Sequence, residues 1–128
     1  AGDYNGTITL TAANTYMTFE YPAGTDYSVP ASKELWILDY AFMVSAVAKA
    51  LYQFGYGDDG VAEGTVAPTT AVAFNQATAN FYLAQTANVH NLVKEFVGIV
   101  PAGKFPFVRT STDSGTATIK ITCLEVNA

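Results

Sequence analysis

Charge is scarce in this sequence, positive charge most of all, and so are the residues that carry most enzyme chemistry. Charged residues make up 13% of the 128, against about 25% in an ordinary soluble domain. Six Lys and Arg stand against eleven Asp and Glu, for a net charge of −5. The six are scattered, so no basic cluster can follow a phosphate backbone, and nucleic acid is not an expected partner. The same shortage disfavours an anionic membrane surface. A single cysteine, Cys123, excludes an internal disulfide. The single histidine, His90, is remote from it in sequence, so the chain offers no local Cys–His pair. GxSxG, HExxH, phosphate-loop and dinucleotide signatures are all missing. An enzyme is not expected, and neither is a cofactor.

What is present is apolar. Half of the residues are hydrophobic, and a chain of this length buries roughly 65–70% of its unfolded surface as one domain. With no linker in view, residues 1–128 read as a single unit. So few charges leave two ways to build the surface. It is either an uncharged coat of Thr, Ser, Asn, Gln, Ala and Tyr, or it is covered by other subunits, whose interface cores are depleted in charge. The polar start, Ala1-Gly2-Asp3-Tyr4-Asn5, lacks the basic and apolar regions of a signal peptide and reads as an N-terminal arm. The longest apolar stretch, Leu35 to Phe54, contains Asp39 and Lys49 and makes a poor membrane span.

A five-residue pattern occurs twice. Val29-Pro30-Ala31-Ser32-Lys33 precedes Glu34-Leu35-Trp36-Ile37-Leu38, and Val100-Pro101-Ala102-Gly103-Lys104 precedes Phe105-Pro106-Phe107-Val108-Arg109. Proline presets φ for the second position of a turn and the small residues let the backbone reverse, so each copy reads as a corner feeding a strand. Tyr21-Pro22-Ala23-Gly24 is a looser third case. Gly6–Thr11, Tyr16–Tyr21, Phe105–Thr110 and Thr116–Val126 have strand composition, with period-two alternation clearest in the first and last. Val89–Val97 reads as a further strand. Glu34 to Phe54 is ambiguous: Ser45, Lys49 and Gln53 fall at helical spacing, yet Trp36, Ile37, Tyr40, Phe42 and Val44 are strand formers following a turn. Two strands, Leu35–Ser45 and Val47–Phe54, are the preferred reading, with one long helix as the rival. Some eight to ten short strands define an all-β chain, an antiparallel jelly-roll-like β-sandwich.

Candidate sites are few. Asp58, Asp59 and Glu63 form the one carboxylate cluster and are the weak candidates for a hard cation, which needs several oxygen ligands; a solvated acidic turn is the competing reading, and no metal is assigned. Asp39, among apolar neighbours, is the one carboxylate placed for acid–base work, though a hydrogen-bonded strand residue explains it as well. Cys123 shares parity with Ile119 and Ile121 and reads as a small buried hydrophobe. Tyr52, Tyr56 and Tyr82 could present rings to a glycan, whereas aromatic rings in sandwiches more often fill the core or a subunit interface. From Gly64 to Val93 no residue is formally charged. That run suits subunit contacts, and Phe74, Phe81, Tyr82 and Leu83 are its interface candidates.

The stretch Val100-Pro101-Ala102-Gly103-Lys104, with Val108-Arg109-Thr110-Ser111-Thr112-Asp113-Ser114-Gly115-Thr116-Ala117-Thr118-Ile119, resembles the C-terminal strands of small jelly-roll proteins in tailed-phage virions. It is similar to capsid decoration (cement) proteins and to related tail or fibre modules, over about the last thirty residues. The resemblance implies a structural protein without catalytic residues, made in the host cytoplasm and placed on the capsid surface. Its implied partners are itself, as a homotrimer, and the major capsid protein. A carbohydrate- or receptor-binding sandwich module of a tail or fibre is the alternative.

Overall fold

The computed structural model describes residues 3–10, 15–44, 50–74, 82–84, 90–93, 96–112 and 116–128. All regular structure among them is β. The strands are β1 (Asp3–Leu10), β2 (Thr15–Thr18), β3 (Lys33–Val44), β4 (Ala50–Gly57), β5 (Val72–Ala73), β6 (Tyr82–Ala84), β7 (His90–Val93), β8 (Gly98–Val100), β9 (Phe105–Thr112) and β10 (Ala117–Asn127). They form two antiparallel sheets of five, as expected of a β-sandwich. One runs β1-β10-β3-β7, with β8 also on β3; the other runs β2-β9-β4-β5, with β6 also on β4.

The pairing follows chain order from the outside in. The first strand pairs the last (β1 with β10) and the second pairs the second-last (β2 with β9). β3 pairs β7 opposite Tyr40–Met43 and β8 opposite Leu35–Ile37, so these two short strands are segments of one edge. β4 pairs β5 and β6 in the same way. Long-range contacts of β10 with β3 and of β9 with β4 complete each sheet.

Period-two alternation decides which side chains enter the core. Along β10, Ala117, Ile119, Ile121, Cys123 and Glu125 are buried while their neighbours are not. β3 would lose that alternation without its irregularity: Thr122 faces Asp39 but Cys123 faces Ile37, which leaves Leu38 as an extra residue. The bulge resets the pleat, so Leu35, Ile37 and Tyr40 all reach the core despite their mixed parity. Glu34 to Phe54 therefore contributes β3 and β4, and the helical alternative is excluded for its described residues. Tyr40 and Tyr52 bring hydroxyls into the interior and join them at 2.8 Å, which spares each the cost of an unmade hydrogen bond.

Two sequence expectations need correction. Prolines 30 and 101 occupy the first turn position, not the second, because Lys33 N donates to Pro30 O and Lys104 N to Pro101 O. The third residue carries the reversal: φ is 64° at Ser32 and 78° at Gly103. Thr25 N donates to Pro22 O with φ 85° at Gly24, so the Tyr21–Gly24 case has the same construction. An arm over residues 1–5 is likewise shortened, since Asp3, Tyr4 and Asn5 pair with Leu124, Cys123 and Thr122 inside β1.

The two Val-Pro-Ala corners also meet. Val29 N donates to Lys104 O at 3.0 Å and Gly103 N donates to Val29 O at 2.7 Å. Each corner's leading valine, Val29 or Val100, is buried. Together they tie the chain entering β3 to the chain entering β9, and so tie one sheet to the other.

Candidate functional site

The acidic loop is occupied with its own donors. Asp59 accepts from Thr69 N at 2.7 Å and from Thr69 Oγ1 at 2.8 Å. Asp58 pairs with Lys104, and hydrogen bonds from Lys104 and then Thr70 hold its carboxyl below the usual carboxylate range. These bonds fasten the end of β4 to the loop before β5 and to the second corner. Among the described residues no three His, Cys, Asp or Glu side chains converge, so Asp58, Asp59 and Glu63 are not brought together as a cation site.

The other sequence candidates are dispersed. Asp39 is half-buried opposite Thr122. Cys123 is buried; burial chiefly, and then the charge of Asp39, push its thiol up to about 12, which leaves it protonated and poorly nucleophilic. His90 pairs Met43 at the backbone on β7. Phe74 is half-buried, with its ring against Tyr56 and over Gly98, where a Cβ would come within 2.7 Å of that ring. Tyr82 and Leu83 pair the backbone of β4, and Phe81 lies outside the described residues. A glycan platform on Tyr52, Tyr56 and Tyr82 does not form as expected, because Tyr52 is 1% exposed among Tyr40 and Phe54. Tyr56 is half-buried.

The structure assembles two other groups. On the outer face of the β1-β10-β3 sheet, Trp36 faces Leu124 on one side and Ile99 on the other. Phe96 meets Trp36 edge-on, with centroids 5.9 Å apart. Trp36, Phe96 and Ile99 are exposed by 36%, 41% and 41%. Trp36 Nε1 donates to Glu34 Oε1 at 2.9 Å, which holds the indole against the sheet.

The second group closes one end of the sandwich. Tyr4 on β1 meets Tyr21 with centroids 4.4 Å apart and Tyr27 at 5.4 Å. Tyr27 OH donates to Glu125 Oε2 at 2.6 Å, and the same carboxylate acts on the Tyr4 phenol. Burial, with Glu125 next, raises the pKa of both phenols, so they stay protonated as donors. The bond from Tyr27 is the main reason that Glu125 titrates below the usual range. Glu125 continues the inward parity of Ile119, Ile121 and Cys123, and that was the sequence signal for a carboxylate in the interior. Nothing in the sequence distinguished Trp36 or Tyr21 from the aromatics of the core.

No protein-family model matches the chain, and no curated protein matches it. Among solved structures it is similar to a chain in "Structure of infectious bursal disease virus Gt strain", with 13% identity and a TM-score of 0.32. That superposition covers 99% of this chain and 31% of the other, so this chain spans about a third of that chain's length. A likeness at this level supports no conclusion about family or function.

Proposed function

We propose that this chain is a non-enzymatic structural protein of a tailed-phage virion: a jelly-roll decoration (cement) protein that binds the assembled capsid as a homotrimer and stabilises it. The pairing order favours the jelly-roll reading. First strand with last, second with second-last, and so inward is the order of a long hairpin rolled into two sheets, an architecture used by capsid and lectin domains. Architecture alone does not license the function.

The observation that carries the reading is the apolar row of Trp36, Ile99 and Phe96 on an outer sheet face. Tryptophan anchors are enriched where binding energy concentrates, and contiguous exposed apolar patches mark contact surfaces. In this reading the row docks on an apolar, uncharged surface of the major capsid protein. The shortage of charge in the chain as a whole suits such a contact. A protein that binds only the intact lattice shifts the lattice equilibrium away from rupture.

Co-sedimentation with capsids of the virus that encodes the chain tests the proposal. The protein pellets at a constant ratio to capsid subunits and raises the temperature at which capsids release their contents. Failure to bind capsids, together with retention on a glycan array, would replace this reading with the carbohydrate-binding one.

A further inference from the structure

The tyrosine-lined end of the sandwich is a separate feature, independent of the proposed capsid contact. Tyr4, Tyr21 and Tyr27 surround a recess between the sheets, with Ile121 and Cys123 at its floor. The recess encloses about 270 Å³ including its mouth, but only about 20 Å³ of it admits the centre of a water-sized sphere. By that measure about 10–15 Å³ holds one water. A head group the size of water or ammonium fits, whereas a sugar ring or a branched hydrocarbon does not.

Charge then selects among small head groups. The rings of Tyr4 and Tyr21 are inclined at 61° and those of Tyr4 and Tyr27 at 50°, so they are not stacked face to face. Their π-faces carry negative potential and attract a cation placed within about 6 Å. Donation by Tyr27 to the Glu125 carboxylate moves electron density back into the Tyr27 ring and strengthens the effect. Glu125 itself is 8% exposed and ionised. Lys33 contributes least to lowering its pKa, and among the described residues the ion pair lies elsewhere, between Lys104 and Asp58. Glu20 lines the mouth, and Asp26 bridges to it across the loop. Burial, and then the charge of neighbouring Glu20, raise the pKa of Asp26.

Outside the recess an open groove continues past Gly6, Thr7, Glu20, Tyr21, Pro22 and Ala23. It shares Gly6, Glu20 and Tyr21 with the recess. An ammonium seated inside can therefore carry an alkyl stem out along the groove. Tyr21, 44% exposed, forms the wall between the two spaces.

The geometry points to a binding site for a protonated primary amine in this recess: a free alkylammonium, or the ε-ammonium of a lysine side chain presented by a partner. Three features act together: a cavity of ammonium size, tyrosine rings around it, and two carboxylates, Glu20 in its lining and Glu125 held by Tyr27.

The test is an NMR titration of the isotope-labelled protein at constant ionic strength and pH 7. n-Butylammonium chloride is the probe, with n-butanol and tetramethylammonium chloride as controls. Butylammonium should shift the Gly6 and Tyr21 amides saturably, and both controls should bind at least about fivefold more weakly. Tyr21→Ala should weaken butylammonium about fivefold, and Tyr27→Phe, which keeps the ring but removes the donation to Glu125, by about half that factor. The second variant leaves the packing in place, so it reads out even where the first disturbs the fold. An acetylated, amidated Gly-Lys-Gly peptide separates the sources: binding by the peptide assigns a lysine, and binding by butylammonium alone assigns a free amine. Butanol binding as tightly as butylammonium would reduce the site to an apolar crevice and overturn the proposal. So would tighter binding of tetramethylammonium, or the absence of a saturable shift at Gly6 and Tyr21.

Discussion

The corner at Val29–Lys33 and the corner at Val100–Lys104 perform one geometric task with different third residues. Both close a Pro-O to Lys-N turn, both bury the valine ahead of the proline, and they hydrogen-bond to each other. They differ in where the backbone reversal falls. Gly103 takes φ 78° freely, while Ser32 takes φ 64° with a Cβ that disfavours it. The lysines differ as well: Lys104 pairs with Asp58 across the loop, and Lys33 Nζ donates to Asn127 at the end of β10. The repeated sequence thus marks a repeated backbone path, and the surrounding residues decide what each copy fastens.

The strongest way to break this equivalence is at the buried valines. Val29→Ala and Val100→Ala should each cost about 2 kcal/mol, from lost apolar burial plus the cavity left behind. Urea denaturation should return two values within about 0.5 kcal/mol of each other, inside the usual spread of core truncations. A much larger loss at one corner would show that the two do not share the work.

A smaller effect is expected at the reversal itself. Gly103→Ala should destabilise by about 1 kcal/mol through backbone strain, because the space around Gly103 is open and nothing clashes. Ser32→Gly should act in the opposite direction, gaining about 0.5 kcal/mol as relief at φ 64° outweighs the added freedom of the unfolded chain. Thermal melts of the two variants should therefore move in opposite directions.

The smallest effect belongs to the Lys104–Asp58 pair, which is solvent-exposed. Asp58 titrates below its ordinary value, so its contribution is present above a pH of about 4 and is lost as pH falls through the lowered pKa. Lys104→Ala should flatten that part of the acid limb and leave the neutral-pH melt nearly unchanged. Lys33→Ala, lacking a carboxylate partner at Asn127, should leave the Asp58 limb intact.

These corners also show what the sequence could disclose. The Pro-Ala-small-Lys pattern located two reversals and the looser Pro22-Ala23-Gly24 case a third, but not the position of proline within them, which depends on where the hydrogen bond closes. Alternation located β10 outright, since every second residue from Ala117 to Glu125 is buried. In β3 the bulge at Leu38 breaks that alternation, while the helical reading of Glu34 to Phe54 came from the spacing of Ser45, Lys49 and Gln53. Tyr21 and Trp36 lie exposed while Tyr40 and Tyr52 lie in the core, a partition set by which strands stack rather than by local pattern. Glu125 could have been found by extending the inward parity of Ile119 by three more steps of two.

In the proposed function, Trp36 and its neighbours form the contact through which the protein joins a capsid. Sedimentation of purified capsids with the wild-type chain and with Trp36→Glu tests it most directly. Trp36 is partly exposed, so the variant should keep the wild-type circular dichroism spectrum. Wild-type protein should pellet at a constant ratio to capsid subunits and Trp36→Glu should stay in the supernatant, because a buried unpaired carboxylate opposes docking. Equal pelleting of both proteins, or pelleting of neither, would contradict it.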